Sequence, residues 1–364
     1  MSAIPILEAR GLRVVRGGSV LVDVPELAIV EGEALSLIGP NGAGKTTLLH
    51  ALSFLAKPSA GEILFRGRPV GASQSPLEYR RRLAMVFQEP LLFDTTVIGN
   101  VISGLRIRGI DKAEARKSAE RQLEIFGITH LRDRSAKTLS GGEAQRTSLA
   151  RAFAVSPEIL FLDEPFASLD PPTRESLVID LERVLSETNT TTIMATHDRN
   201  EALRLSDRIA VMGNGHIAQV DFPQTIINRP VNEFVASFVG TETILEGTVG
   251  EASGAALLVN IDGGRIEVVG QGSPGEKVLL FIRPENVTIS INEAHSRTSA
   301  RNTFPGVVTR IIPQGFFYRV DLSCGFPLVA YVTANALEEL GLREEMPVTA
   351  SVKATSIHFI RKTG

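Results

Sequence analysis

The chain is short of several things, and each shortage excludes something. Its 364 residues include one cysteine, Cys324. A disulfide within the chain is therefore impossible, as is a cysteine-rich zinc site. The lone thiol reads as a small buried or half-buried apolar group. There is no tryptophan, and there are only three tyrosines, so aromatic surfaces for stacking are scarce. Unbroken apolar runs stop at five residues, as in "VLLFI" at 278–282; a membrane-spanning helix needs about 20. The opening "MSAIPILEARGLRVV" lacks the basic segment and apolar stretch of a secretory leader. A basic surplus is missing too. The formal net charge of −3 argues against nucleic acid as the main partner. With 43% hydrophobic and 22% charged residues, a packed protein of two or three domains is expected. It should be soluble and cytoplasmic, with any membrane part supplied by another chain.

The strongest positive signal is "ALSLIGPNGAGKTTLLHAL" at 34–52. An apolar strand-like run leads into Gly39, Pro40, Asn41, Gly42, Ala43, Gly44, Lys45, Thr46 and Thr47, and an apolar helical pattern follows. This is a Walker A phosphate loop between a strand and a helix. Its glycines let backbone N–H groups approach phosphate oxygens, and the helix N-terminus adds its dipole. Lys45 is expected to reach the β- and γ-phosphates of ATP, and Thr46 to ligate Mg²⁺.

"EILFLDEP" at 158–165 matches it. Four apolar residues make a buried parallel strand that ends in two carboxylates. Asp163 is expected on the Mg²⁺ side, and Glu164 as the group that polarises the attacking water. "TTTIMATHD" at 190–198 is a third such strand, ending in His197. A histidine there is either structural or a contact to the γ-phosphate.

"TLSGGEAQRTSLARA" at 138–152 resembles the signature motif of the ABC transporter ATPases, with Glu143 where the family usually has glutamine. "VFQEP" (86–90), "FASLD" (166–170) and His197 follow in the family's order and spacing. The resemblance covers residues 1 to about 240. It implies that Gln88 senses Mg²⁺ and the attacking water. Ser140, Gly141, Gly142 and Glu143 would cap the ATP held by an opposite subunit, and residues 168–170, including Asp170, would cross the interface. His197 would be the switch histidine. A chain with one phosphate loop and one signature would then work as a homodimer around two ATP molecules. The family usually stacks the adenine on an aromatic residue. Here Val15 takes that place, with Arg16 beside it, so nucleotide choice should be relaxed. Residues 89–150 should be the helical subdomain, where "IDKAEARKSAERQLEIFGI" (110–128) reads as an amphipathic helix with Ala113, Leu123 and Phe126 inward. "PLLFDTTV" (90–97) places Leu91, Leu92 and Phe93 where relatives receive a membrane subunit, as an exposed patch or as core.

Past 240 the texture changes to short apolar strands with Gly, Pro and Asn turns. The expected division is an α/β P-loop ATPase domain, residues 1–240, followed by an all-β domain of two small-barrel repeats, residues 241–364. "EKVLLFIRPENVTI" (276–289) aligns with "MPVTASVKATSIHF" (346–359) at a shift of 70 positions. The tail resembles the TOBE accessory domain of importer ATPases, which serve membrane permeases fed by a solute-binding protein. The implied place is the cytoplasmic face of the membrane. "TSARN" (298–302) and "KAT" (353–355) resemble the molybdate-binding version of this unit. Thr298, Ser299, Arg301 and Lys353 offer the hydroxyls and cations that a tetrahedral dianion such as molybdate or tungstate requires. The same residues also suit an ordinary loop, and the first repeat has "TETI" instead. Importers of sugar, iron or sulfate are the alternative, followed by a soluble ABC protein acting on nucleic acid or ribosomes.

Overall fold

Apolar runs that alternate with amphipathic segments direct the first part of the chain into a sheet covered by helices. The computed structural model describes residues 5–291 and 299–362. It divides into two units, Met1–Ile226 and Ile227–Gly364. The division falls ahead of the texture change near 240, so the short helix Glu233–Phe238 belongs to the second unit.

The first unit runs β1 (Pro5–Arg16), β2 (Ser19–Val30), β3 (Ala34–Ile38), α1 (Lys45–Leu52), β4 (Ala60–Phe65), β5 (Arg68–Pro69), α2 (Pro76–Arg81), β6 (Leu83–Val86), α3 (Val97–Ile107), α4 (Lys112–Ile125), α5 (Gly141–Ala154), β7 (Ile159–Asp163), α6 (Pro171–Thr188), β8 (Thr191–Thr196), α7 (Arg199–Leu205), β9 (Arg208–Gly213) and β10 (His216–Asp221). Strands β2-β1-β4-β5 form an antiparallel sheet. The second sheet has the order β10-β9-β3-β8-β7-β6 and is parallel except for the β10 edge. Every residue of β7 and β8 is buried, as a strand covered on both faces requires. Because β3, β6, β7 and β8 run the same way, the residues that follow them share one edge of the sheet.

Helices α3, α4 and α5 pack through Val101, Leu105, Ala119, Leu123, Phe126 and Leu149. Leu123 and Phe126 face inward as the periodicity predicts, but Ala113 is exposed. It lies in the first turn of α4, and the inward face is carried by Ala115 and Ala119 at four-residue steps back from Leu123.

The second unit continues with β11 (Thr243–Ser253), β12 (Ala256–Ile261), β13 (Gly264–Val269), β14 (Lys277–Ile282), β15 (Val287–Ser290), β16 (Asn302–Gln314), β17 (Phe317–Ser323), β18 (Pro327–Thr333), β19 (Pro347–Val352) and β20 (His358–Arg361). Two five-stranded sheets result, β13-β12-β11-β14-β20 and β15-β19-β16-β17-β18. Each repeat lends its last strand to the other. The registers Leu279↔Ile360 and Phe281↔His358 reappear as Ser290↔Thr349 and Thr288↔Ser351, which is the 70-residue shift applied to both partners. Cys324 is buried, and burial pushes its thiol up to about 11. It stays protonated at neutral pH and acts as packing.

The two repeats also trade side-chain bonds. Asn302, opposite Val352, accepts from the Glu267 N–H at 2.7 Å and donates to the Glu267 carbonyl at 2.8 Å. Thr243, opposite Ile282, accepts from the Val329 N–H at 3.1 Å. Among the described residues of "TSARN", Asn302 is the buried one, and it ties the second repeat to a strand of the first. Replacing Asn302 with alanine strands two main-chain groups, a loss of about 1–3 kcal/mol. Chemical denaturation should show that loss, whereas Ser299→Ala should change stability by less than about 0.5 kcal/mol. Equal effects would contradict the assignment.

Candidate active site

The loop after β3 is shaped by what cannot fit there. Gly44 has φ +98°, and a Cβ on it would lie 2.8 Å from the Leu21 carbonyl. Only glycine takes that conformation without strain. Lys45 is 5% exposed, and its Nζ donates to the carbonyls of Gly39 at 2.8 Å and Pro40 at 3.1 Å. These bonds hold the loop open around its own lysine. Burial lowers the Lys45 pKa, while Glu164 and Asp163 oppose the shift. The resulting cleft of about 280 Å³ is lined by residues 41–47 with Leu21 and Glu164.

Three strand ends meet there. Thr46 Oγ1 donates to Asp163 Oδ1 at 2.8 Å, joining the first turn of α1 to the end of β7. Burial raises the Asp163 carboxyl, an effect that the Thr46 hydroxyl and His50 oppose. Glu164 follows with φ +43°, a left-handed conformation rare outside glycine that costs about 1–2 kcal/mol. Its N–H is held by the Ala195 carbonyl at 2.8 Å, so the neighbouring strand enforces the turn. That turn brings one carboxylate oxygen within 4.0 Å of Lys45 Nζ and the other within 3.0 Å of His197 Nδ1. A carboxylate set this way, between an ammonium and an imidazole at the mouth of a phosphate loop, can accept a proton from water. Strain at such a position marks it as a candidate for chemistry rather than packing.

Other predicted residues lie elsewhere. Gln88 is exposed, two residues past β6. Ser140 caps α5 in a reciprocal box: Glu143 Oε2 accepts from the Ser140 N–H at 2.7 Å, and Ser140 Oγ accepts from the Glu143 N–H at 3.4 Å. The bond from the Ser140 N–H, helped by the Ser140 hydroxyl and by Arg134 at 3.4 Å, keeps the Glu143 carboxyl below its ordinary range against the opposing effect of burial. At Gly142 a Cβ would sit 2.5 Å from Thr173 Cγ2, so a side chain there would require Thr173 to shift. Asp170 caps α6 by accepting from the Thr173 N–H at 3.2 Å. Residues 140–143 and 168–170 line a separate open cleft of about 580 Å³ that contains no residue of the phosphate loop. Val15 is exposed on β1 and does not line the phosphate cleft. In the second unit, Arg301 and Lys353 are exposed just beyond the paired residues Asn302 and Val352, with exposed Ser299 two positions away. Thr298 lies outside the described residues. One neighbour of the site carries no motif. His50 places Nε2 3.7 Å from Asp163 Oδ2; its position four residues after Thr46 on α1 was the available signal.

Residues 22–167 match the ABC transporter family, and residues 298–359 match the TOBE domain. The molybdate/tungstate import ATP-binding protein WtpC of Pyrococcus horikoshii is 38% identical over 90% of this chain and 92% of its own length. This chain belongs to the ABC transporter ATP-binding proteins. It is an ATPase, with a TOBE domain at its C-terminal end. The spermidine/putrescine import ATP-binding protein PotA of Trichodesmium erythraeum is 35% identical over 88% of this ABC ATPase and 85% of its own length. A solved dimeric ATP-binding cassette, in a post-hydrolysis state with ADP and phosphate, superposes with a TM-score of 0.55 at 28% identity, over 60% of this chain and 98% of that one.

Glu164→Gln keeps the shape of the side chain and removes its basicity. ATP hydrolysis should fall by about 10²-fold or more, while ATP still binds. Unchanged turnover would remove Glu164 from the chemistry.

Proposed function

We propose that this chain powers an importer of molybdate- or tungstate-type oxyanions. Two copies would bind two ATP molecules between them, at the cytoplasmic face of the membrane, beneath permease subunits supplied with cargo by a solute-binding protein. The cargo reading is carried by Arg301 and Lys353. They stand at neighbouring strand ends, exposed, and neither forms an ion pair with a described residue. Two cations beside the Ser299 hydroxyl suit a compact dianion. The P. horikoshii relative, named for molybdate and tungstate, supports this choice. The PotA relative, named for a cationic cargo, has nearly the same identity, so the ATPase unit alone does not choose.

The first repeat supports a single oxyanion position per chain. By register, Glu242 holds the place of Arg301. Its carboxylate is engaged by Arg319 and by the Tyr331 hydroxyl. A carboxylate there repels an anion.

Thr46 and Asp163 offer adjacent hard oxygen donors beside the phosphate loop, a pair that fits Mg²⁺. When bound, Mg²⁺ supplies positive charge to the β- and γ-phosphates. Lys45 would exchange its loop carbonyls for phosphate oxygens. Glu164 would draw a proton from the attacking water, with His197 orienting the carboxylate and Gln88 completing the site from β6. The signature cleft at Ser140 shares no residue with the phosphate cleft, so in this reading the signature of one copy would face the phosphate loop of the other. The dimeric solved relative agrees with that arrangement. For the permease, an open, largely apolar cleft of about 550 Å³ lies on the helical side, lined by exposed Leu77, Leu91, Phe93 and Ile107. Exposed apolar surface of this kind marks a partner site.

Two measurements test this reading. Cells lacking the chain should lose high-affinity uptake of labelled molybdate and tungstate but keep polyamine uptake; the reverse would sink the cargo assignment. Because Val15 gives a base only apolar contact, ATP and GTP should be hydrolysed at rates within about ten-fold of each other. A preference of several hundred-fold would contradict the role given to Val15.

A further inference from the structure

The second unit contains a cleft of about 490 Å³ that includes none of Ser299, Arg301 or Lys353. We propose that it binds a small organic anion, an oxyanion headgroup on a compact apolar or aromatic body. This does not rest on the cargo reading and would hold for an importer of any solute.

The cleft is built from segments far apart in sequence. Residues 227–230 supply one side, and Thr241, Arg283 and the 355–358 loop supply the others. Arg229 and Arg283 bring two guanidinium groups to its wall, and none of the described residues that line it is acidic. A planar fork of N–H donors matches phosphate or carboxylate oxygens better than a point charge does. The wall also holds donors that the fold does not use. Thr241 is 5% exposed, and its hydroxyl has no hydrogen-bond partner. The Arg283 Nε is also buried without a partner, while the far end of that side chain pairs with Glu285 at 2.6 Å. Buried polar groups are rarely left this way unless something else satisfies them.

The lining also includes aromatic and apolar groups, Phe281, His358, Val269 and Ile357. His358 faces the Pro230 carbonyl with Nε2 at 3.1 Å. A carbonyl only accepts, so Nε2 carries the proton. Burial and Arg229 hold the ring's pKa below its ordinary value, against the pull of the Pro230 carbonyl. The ring is therefore neutral at pH 7 and stacks on Phe281 at 5.9 Å and 20°. Together with Val269 and Ile357 it offers a surface for an apolar body rather than a third charge. Size points the same way. An inorganic tetrahedral ion replaces only a few waters of about 30 Å³ each, whereas compact organic ligands fill clefts of roughly 300–1,000 Å³.

Calorimetry on the full chain tests the proposal, in a Lys45→Ala background that removes phosphate binding at the nucleotide site. The probes are phenyl phosphate, benzoate, inorganic phosphate and molybdate. At least one organic anion should bind saturably; if both do, the tighter one identifies the headgroup. Inorganic phosphate should bind at least about ten-fold more weakly, and any molybdate binding should be lost with Arg301→Ala and kept with Arg283→Ala. Arg283→Ala and Thr241→Val should each weaken the organic anion, the former by about ten-fold or more, and Arg301→Ala should leave it unchanged. If Arg283→Ala does not fold, Arg283→Lys keeps the charge without the fork and should still weaken binding measurably. No saturable binding of either organic anion would overturn the proposal. So would equal binding of inorganic phosphate, or affinity that is insensitive to Arg283 and lost with Arg301.

Discussion

The parallel run of β3, β8, β7 and β6 is the constraint on which the candidate active site depends. Each strand is largely buried through its length, so burying the strands delivers the residues at their carboxyl ends, Gly39, His197, Asp163 and Gln88, to one edge. The hydrogen bond from Thr46 to Asp163 then joins the phosphate loop to β7. The main-chain bond from Glu164 to Ala195 holds Glu164 itself in its left-handed turn. Neither carboxylate reaches its position through its own rotamer alone. A change that loosened β7 against β8 would misplace Glu164 and disturb the bond from Asp163 to Thr46.

The second unit uses a different device. Its repeats exchange their final strands, and the same register recurs on both sides. Neither sheet is complete without the other repeat, and Asn302 and Thr243 reinforce the exchange. The near-symmetry also makes its violations informative. Where the second repeat presents Arg301 to solvent, the first places Glu242 against Arg319. The two halves share a frame and differ in charge at the position where an anion is expected to sit.

Much of the candidate active site was legible because its residues follow strands at short range. The phosphate loop, Asp163, Glu164 and His197 each close an apolar run, and that pattern survives in a linear reading. What failed to show was whatever depends on distant segments meeting. Ala113 looks inward by composition but falls before the face that Ala115, Ala119 and Leu123 define. His50 is an unremarkable helix residue until β7 brings Asp163 beside it. The 70-residue repeat was visible; the strand exchange was not, since hydrophobic periodicity does not say which edge a strand joins. Asn302 looked like one more polar member of "TSARN", and its burial follows only from its pairing with Glu267. Thr241, Arg229 and His358 form no motif at all.

The phosphate loop and the signature of one chain line separate clefts, so the account stands or falls on one copy completing the other. The most direct measurement is analytical ultracentrifugation of the Glu164→Gln chain, with and without ATP. The account predicts a monomer without nucleotide, a dimer with ATP, and a return to monomer when Ser140→Arg blocks the signature cleft. A chain that stays monomeric with ATP, or a dimer indifferent to Ser140→Arg, would contradict it.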